Sequence, residues 1–172
     1  MRLFVFGICA AVALSTAVAS AANAGCSAPQ YRQYDFFVGN WIVTRKDGKQ
    51  FATDQVSKAY GGCVVWEQWH GSSSHGAGYS GYDAVRKVWV QSFMDDQGSV
   101  YTMEGHRTAD ALTFEGPDYP KAGVVEQNRV AFRPLAGGVV EEYWTVSTDG
   151  WKTSKVVFDG FFHPVKQAAT HR

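Results

Sequence analysis

The feature that most constrains the fold is a regular succession of short β-rich runs separated by turn residues. Clusters such as Lys46-Asp47-Gly48, Gly116-Pro117-Asp118 and Thr148-Asp149-Gly150 are typical of tight connections between strands. A single short helical turn is predicted at 31–38. The ten predicted strands lie near 40–46, 52–60, 62–70, 77–84, 86–94, 99–106, 110–115, 124–133, 138–147 and 153–163. This spacing predicts an all-β fold, either a barrel or a sandwich.

The short connections favour one of these two architectures. Successive hairpins with tight turns are typical of an up-and-down meander, whereas a sandwich usually needs the longer crossovers of a Greek key. We therefore predict a single antiparallel barrel of about eight to ten strands, with the β-sandwich as the alternative. A barrel of this size encloses either packed side chains or one small ligand.

The N-terminal residues have the pattern of a signal peptide. Arg2 precedes an uncharged apolar stretch at 3–18, and Ala22-Asn23-Ala24 forms a small-x-small cleavage site. We predict a signal peptide at 1–24, one barrel domain at 25–172, and export to the periplasm or the outside medium. A membrane anchor is the alternative, but a span needs about 20 apolar residues. A lipid anchor on Cys26 would need an apolar residue where Asn23 stands.

Three cysteines are present, and the predicted cleavage removes Cys9. Cys26 and Cys63 then remain, and an oxidising compartment allows them to form one disulfide between the N-terminal arm and an early strand. The alternative is two separate thiols, one near the terminus and one buried.

Charge and composition exclude some classes of partner. The chain has 16 basic and 16 acidic residues and no basic tract, so nucleic acid and anionic membrane surfaces are not expected as partners. No segment after the signal peptide is apolar enough to predict a membrane span. Aromatic residues make up 15% of the chain, which favours a large aromatic core or an aromatic-lined cavity. No oligomeric state is predicted.

Several short motifs carry a family resemblance. In chain order they are Tyr34-Asp35-Phe36-Phe37 with Gly39-Asn40-Trp41, Gly62-Cys63 with Glu67-Gln68-Trp69, Tyr82-Asp83 with Trp89-Val90-Gln91, Arg129 ahead of Glu142-x-Trp144, and Ser147-Thr148-Asp149-Gly150-Trp151 with Phe158-Asp159-Gly160. Together these resemble a family of bacterial, often secreted, lipocalin-like (calycin-type) barrel domains of largely unassigned function. The resemblance implies a lipocalin-like barrel with a cavity, in which Gly39 and Trp41 are structural and Trp41 closes the bottom. The chain departs from the family at Phe93, where members tend to have Trp, and at Glu142, where they tend to have Gln.

Strand alternation suggests which side chains face the interior. Residues two apart in a strand lie on the same face. The motif residues of each strand all lie on one face, and we predict that this face points into the barrel. The predicted ligand-binding residues are Glu67, Trp69, Trp89, Gln91, Phe93, Glu104, Arg129, Glu142 and Trp144. A buried carboxylate needs a partner, and Arg129 is the natural counter-ion for Glu67, Glu104 or Glu142. Such a pair would either brace the barrel or orient a ligand.

Motifs for metal, haem and catalysis are weak. His70 and His75 flank a Gly/Ser loop without zinc-ligand spacing, and Ser72, Ser73 and Ser74 lack a nucleophile elbow. We therefore predict no metal and no cofactor, with a haem held by His163 as the one alternative.

Three functions are compatible with these features. The first is an extracytoplasmic protein that binds a small apolar or amphipathic molecule in the barrel cavity. The second is a cofactor-independent isomerase or cyclase in the same cavity, with Glu67 or Glu104 as general acid or base. The third is a structural or interaction module with a packed core. The sequence favours the first and contains no strong catalytic motif.

Overall fold

A computed structural model describes residues 26–165, and within them ten antiparallel strands close into one barrel. The strands are β1 (Gly39–Thr44), β2 (Gln50–Ala59), β3 (Val64–Gly71), β4 (His75–Asp83), β5 (Val88–Asp95), β6 (Val100–Arg107), β7 (Leu112–Lys121), β8 (Val124–Pro134), β9 (Val140–Ser147) and β10 (Lys155–Pro164). Short 3-10 helices lie at Pro29–Arg32, Asp35–Phe37, Tyr60–Gly62 and Ala136–Gly138. The predicted signal peptide, residues 1–24, lies outside the described residues.

Every strand pairs with its neighbours in sequence, as an up-and-down meander requires. The ring is closed by β1 and β10, where Trp41 lies opposite Pro164 and Val43 lies opposite Phe162. The predicted all-β barrel is confirmed, and the sandwich alternative is wrong.

The barrel core follows from strand alternation. On β8, the side chains of Asn128, Val130 and Phe132 are buried inside the barrel. The intervening Arg129 is exposed, as the two-residue period of a strand requires. The same alternation on the other strands lines the barrel with Val, Phe and Trp side chains. It also places a few polar residues inside.

One predicted turn lies within a strand. Gly116-Pro117-Asp118 belongs to β7, and the chain turns later, between Lys121 and Val124. Pairing of β7 with β6 ends at Glu115, so the following residues pair with β8 alone. Pro117 is tolerated there because a strand with one unpaired edge does not need every backbone N–H.

The segment before β1 closes one end of the barrel. Tyr34 and Phe37 are fully buried, and the Phe37 ring stacks on Trp41 and packs edge-on against Phe162. The Trp41 indole N–H donates a hydrogen bond to the Phe37 carbonyl oxygen at 3.0 Å. Gly39 lies under this indole, where a Cβ would come within 3.2 Å of the ring. The barrel is therefore blind at this end.

A disulfide ties this segment to the barrel. Cys26 and Cys63 are bonded, with their Cα atoms 4.7 Å apart, which confirms the predicted bridge. Cys63 directly precedes β3, so the bond fixes the start of the described chain to the β2–β3 connection. Among residues 26–165, the only helices are short 3-10 turns, and none is long and apolar enough to cross a membrane.

Candidate functional site

The barrel encloses a cavity of about 370 Å³ that opens at the end opposite the closing segment. The mouth is formed by Arg45, the loop 72–74 between β3 and β4, and Asp95 at the end of β5. The other residues that line the cavity are Phe51, Glu67, Trp69, Gly71, Gln91, Phe93, Tyr101, Met103, Val130, Phe132, Glu142, Trp144, Val157 and Phe158. A cavity of this size is in the range that holds a small organic molecule.

Aromatic side chains form two groups in the cavity wall. Phe51, Trp69 and Phe158, from β2, β3 and β10, pack edge to face with ring centroids about 6 Å apart. Tyr101 of β6 and Trp144 of β9 form a second edge-to-face pair, with ring centroids 5.0 Å apart. The cavity therefore presents apolar surface on more than one side.

Two glycines of β4 keep this space open. Gly76 and Gly78 share a face with Ser80, which is buried inside the barrel. A Cβ on Gly78 would come within 2.9 Å of the Phe93 ring and 3.3 Å of a Glu67 carboxyl oxygen. A Cβ on Gly76 would collide with the same ring at 2.6 Å. The absence of side chains on this part of β4 therefore lets Phe93 and Glu67 occupy their positions.

Three carboxyl groups project into the barrel. Asp54 on β2 is 3% exposed and Glu67 on β3 is 8% exposed. Glu142 on β9 is partly buried and lines the cavity. Neither carboxyl oxygen of Asp54 has a side-chain hydrogen-bond partner among residues 26–165. The six ion pairs found in this part of the chain involve none of the three.

Burial without a counter-ion changes how these groups titrate. Burial raises the pKa of Glu67 to about 7. Burial raises the pKa of Asp54 to about 10, and the nearby carboxyls of Glu67 and Glu142 contribute to this rise from its usual value of 3.8. Burial and the Glu67 carboxyl likewise hold the pKa of Glu142 well above its ordinary value. The barrel interior therefore favours the protonated, neutral form of these carboxyls more strongly than water does.

A buried amide orients one of the cavity aromatics. Asn128 on β8 is 1% exposed, and its side-chain oxygen accepts a 2.6 Å hydrogen bond from the Trp144 indole N–H. Trp144 is thus held by a polar contact at one edge and by the Tyr101 ring at another. This arrangement fixes the indole orientation before any ligand enters.

Six of the nine predicted ligand-binding residues line the cavity. They are Glu67, Trp69, Gln91, Phe93, Glu142 and Trp144. Trp89 has the same parity but lies deeper, in the closed end of the barrel. It is 1% exposed, packs against Tyr34 and Tyr82, and its indole N–H donates to the Gln33 side-chain oxygen at 3.0 Å. Trp89 therefore belongs to the packed floor.

The inward orientation predicted for Glu104 and Arg129 is wrong. The Glu104 side chain is 53% exposed and pairs with Arg86 on the outer surface. The Arg129 side chain is 44% exposed, pairs with Glu115 at 2.6 Å and lies 4.1 Å above the Trp151 ring. On β6 and β8 the side chains that face inward at these positions are those of Met103 and Val130. Arg129 is consequently no counter-ion for the interior carboxyls, and Glu104 has no access to the cavity.

The histidines within residues 26–165 are not part of the cavity lining. His163 on β10 is exposed, and its Nε2 lies 3.0 Å from the Thr44 hydroxyl on the outer face, so it does not point toward a group bound in the cavity. His70 and His75 face each other beside the mouth, with ring centroids 5.5 Å apart. Residues 26–165 contain no group of three or more His, Cys, Asp or Glu side chains placed to hold a metal ion.

Several cavity and core residues were not predicted from the sequence. Phe51, Tyr101 and Met103 line the cavity and were not singled out. Phe158 also lines it and was noted only as part of a family motif, without a predicted role in ligand binding. Asp54 was also missed, although its neighbours on the same face, Ala52 and Val56, are apolar and buried. An acidic residue on an otherwise apolar strand face is a signal that could have identified it.

Comparison with known proteins adds no family assignment. No protein-family model matches the chain, and no curated protein matches it. The resemblance to bacterial secreted lipocalin-like domains remains a prediction. The fold itself is an antiparallel ten-stranded barrel of the lipocalin-like kind.

Proposed function

We propose that this protein binds a small amphipathic molecule inside the barrel. The observation that carries the proposal is the cavity of about 370 Å³, lined by aromatic side chains and by a few convergent polar groups. Apolar walls supply most of the binding free energy in such sites, while polar groups fix the orientation of the ligand. A packed-core interaction module would leave no space of this size inside the barrel.

The closure of one end of the barrel supports a role in binding and not in transport through the barrel. Tyr34, Phe37 and Trp41 fill the end opposite the mouth, and the Cys26–Cys63 bond holds the chain there. A molecule that enters at the loop 72–74 must therefore leave by the same way. This is the geometry of a binding pocket.

The disulfide supports a location outside the reducing cytoplasm. Bonds of this kind form and persist in oxidising compartments. Together with the signal-peptide pattern at 1–24, it favours a periplasmic or extracellular protein. The bacterial origin implied by the family resemblance is part of this proposal.

Titration with the neutral probe N-phenyl-1-naphthylamine tests the binding proposal. We expect saturable fluorescence enhancement with the wild-type protein. Trp69→Ala should raise the dissociation constant about tenfold or more, because it removes a large part of the aromatic wall. Trp66 supplies a matched control: it lies on the same strand with the opposite parity and stacks on Tyr79 outside. Trp66→Ala should leave the dissociation constant within about twofold.

Two results would overturn the proposal. One is the absence of saturable binding by the wild-type protein. The other is an equal loss of affinity in the Trp69→Ala and Trp66→Ala variants, which would place the probe on the outer surface. Thermal unfolding of both variants must be recorded beside the titrations, so that a general loss of structure is not mistaken for a lost contact.

A second candidate function is cofactor-independent acid–base catalysis by Glu67. The specific observation is a carboxyl that lines the cavity and whose pKa is raised by burial to about 7, where a group both takes up and releases protons efficiently. A Glu67→Gln variant would then bind substrate and lose turnover. Glu104, the other predicted catalytic residue, lies on the outer surface and has no part in this reaction.

A further inference from the structure

The interior of the barrel has acidic side chains and lacks cationic partners for them. Glu67 is 8% exposed, lines the cavity and makes no side-chain hydrogen bond or ion pair within residues 26–165. Glu142 lines the same cavity and is likewise without an ion-pair partner among the described residues. An unpaired carboxyl in such a place lowers stability. Its presence inside a binding cavity therefore points to a partner that is not part of the chain.

We propose that the ligand of this cavity is an amphipathic amine. Its ammonium group is held by Glu67 and Glu142, and its apolar part lies among Trp69, Phe93 and Trp144. This inference rests on the proposed binding function and names the chemical class of the ligand.

Hydrogen-bonding capacity at the site matches an ammonium group. An ammonium has donors and no acceptor, while a carboxylate has acceptors and no donor. Glu67 is close enough to Glu142 to raise the pKa of its carboxyl, and Gln91, which is 4% exposed, adds a third oxygen acceptor in the same lining. The surrounding aromatic faces attract cations as well, through the negative charge above each ring.

The cavity lining is unfavourable for an anionic ligand, because its one cationic residue lies at the mouth. Within the cavity lining, the carboxyls are Glu67 and Glu142, with Asp95 at the mouth. The one cationic residue of that lining is Arg45, which also lies at the mouth, with its guanidinium 4.6 Å from the Phe51 ring centre. A fatty acid or another organic anion with its head group in the interior would place its charge beside Glu67 and Glu142, which are carboxyls, and without an interior cationic partner among the lining residues.

The arrangement suits an organic cation better than a metal ion. A metal needs several ligands converging on one point, and the described residues offer no such group of three. The carboxyls instead lie within an aromatic wall that only a ligand with an apolar body would use. This combination selects for a molecule with a charged head and an apolar tail.

Binding of an ammonium group must release protons. The groups that face Glu67 are Asp54 from β2, Glu142 from β9 and Tyr34 from the closing segment. None is a cation that would offset the effect of burial, and the pKa of Glu67 is therefore raised to about 7. When the ammonium enters, a Glu67 carboxyl that carries a proton loses it to solvent and the resulting carboxylate pairs with the ligand. Affinity for an amine should therefore rise with pH while the amine itself stays protonated, up to about pH 9.

A matched series of three ligands tests the inference. The compounds are 4-phenylbutylamine, 4-phenylbutanol and 4-phenylbutyrate, which share one apolar body and differ in the charge of the head group. Isothermal titration calorimetry at pH 8 should show the amine binding at least about tenfold tighter than the alcohol, and the carboxylate most weakly. The dissociation constant of the amine should rise about tenfold between pH 8 and pH 6, and that of the alcohol should stay constant.

Variants locate the effect within the cavity. Glu67→Gln and Glu142→Gln should each reduce the preference for the amine over the alcohol to less than about threefold, with little change for the alcohol. Glu104→Gln, on the outer surface, should leave the preference intact. Titration in buffers of different ionisation enthalpy should show proton release near pH 7 with the amine alone.

The outcomes separate this inference from the binding proposal. If the amine and the alcohol bind equally well, or the carboxylate binds best, the cavity binds small molecules and the inference about the amine is wrong. If the amine preference persists in both Glu→Gln variants, its charge is recognised elsewhere and the inference is also wrong. If no member of the series and no N-phenyl-1-naphthylamine binds, the binding proposal fails and this inference fails with it.

Discussion

Glu141 and Glu142 are neighbours in sequence and lie on opposite sides of the barrel wall. The Glu141 carboxylate pairs with Arg133 on the outside at 2.8 Å. Glu142 points inward, lines the cavity and has no counter-ion among residues 26–165. On the outer surface Glu104 pairs with Arg86 and Glu115 with Arg129, while inside the barrel Asp54 and Glu67 resemble Glu142. Among these carboxyls, the three on the outer surface each have an arginine partner and the three inside the barrel have no cationic partner in the described part of the chain.

This contrast teaches that the two sets of acids have different effects on stability. An exposed ion pair contributes little, because water already solvates both charges. A buried carboxyl without a partner favours its neutral form and lowers stability when pH forces it to ionise. The interior acids therefore weaken the fold at neutral and alkaline pH, which is consistent with a role in binding.

The largest expected effect is that of Asp54→Asn. The pKa of Asp54 is raised from 3.8 to about 10 in the folded protein, so the folded state holds its proton more tightly than the unfolded state. The contribution of this tightly held proton to the free energy of unfolding is therefore complete below about pH 4. It is lost progressively as the pH rises toward 10. The amide keeps the shape of the acid and cannot ionise. We expect Asp54→Asn to be at least ~2 kcal/mol more stable than wild type at pH 8, since each pH unit in the window is worth up to ~1.4 kcal/mol.

Urea unfolding at pH 4 and at pH 8 measures this effect. At pH 4 the two free energies of unfolding should differ by less than ~1 kcal/mol, because the wild-type carboxyl is then neutral in the folded state and only about half ionised in the unfolded state. A variant that is less stable than wild type at pH 8 would show that Asp54 ionises without penalty in the barrel.

The neighbouring pair Glu141 and Glu142 gives a smaller and more direct comparison. Glu142→Gln should stabilise the protein by ~1 kcal/mol at pH 8, because burial and Glu67 raise the pKa of this carboxyl. Glu141→Gln should destabilise it by ~0.5 kcal/mol through loss of the pair with Arg133. Changes of opposite sign at adjacent positions, measured by thermal unfolding in one buffer, would sharpen the contrast. Changes of the same sign at the two positions would contradict the difference between inner and outer carboxyls.

The smallest effect is expected at Arg129. Its pair with Glu115 and its contact with the Trp151 ring lie on the surface, with both charged side chains about half exposed. Arg129→Gln should lower the free energy of unfolding by less than ~1 kcal/mol. The loss should shrink further in about 0.5 M salt, where surface charges are screened. A loss of several kcal/mol would mean that Arg129 supports the interior.

The sequence was sufficient for the architecture because strand alternation and turn residues are local signals. Apart from the end of β7, which lies at Lys121 and was predicted at 115, the strands begin and end within two residues of their predicted positions. The predicted bridge between Cys26 and Cys63 is present, and the alternative of two separate thiols is wrong. The turn predicted at Gly116-Pro117-Asp118 was wrong because pairing decides the end of β7. Gly and Pro are acceptable there once β6 no longer pairs with that strand.

The site was only partly predictable because its chemistry depends on which face each strand turns inward. Alternation and the family motifs predicted an inward orientation for Glu67, Gln91 and Phe93, which line the cavity. They predicted the same for Glu104 and Arg129, which lie on the outer surface. The pairing register turns both of them outward. The depth of Trp89 in the barrel floor also depends on the closing segment, whose packing no local pattern reveals.

The pairing of β1 with β10 also has a consequence for how the protein folds. Residues at 41–44 meet residues at 161–164, so the contact that closes the ring joins the two ends of the described chain. Contacts of such long sequence separation form slowly, because a large loop must be ordered first. A chain that still lacks β10 leaves the edges of β1 and β9 unpaired, and such edges pair readily with other chains. The cavity comes into being only at ring closure, so an amphipathic molecule present at that moment would bind the finished barrel and draw the folding equilibrium toward it.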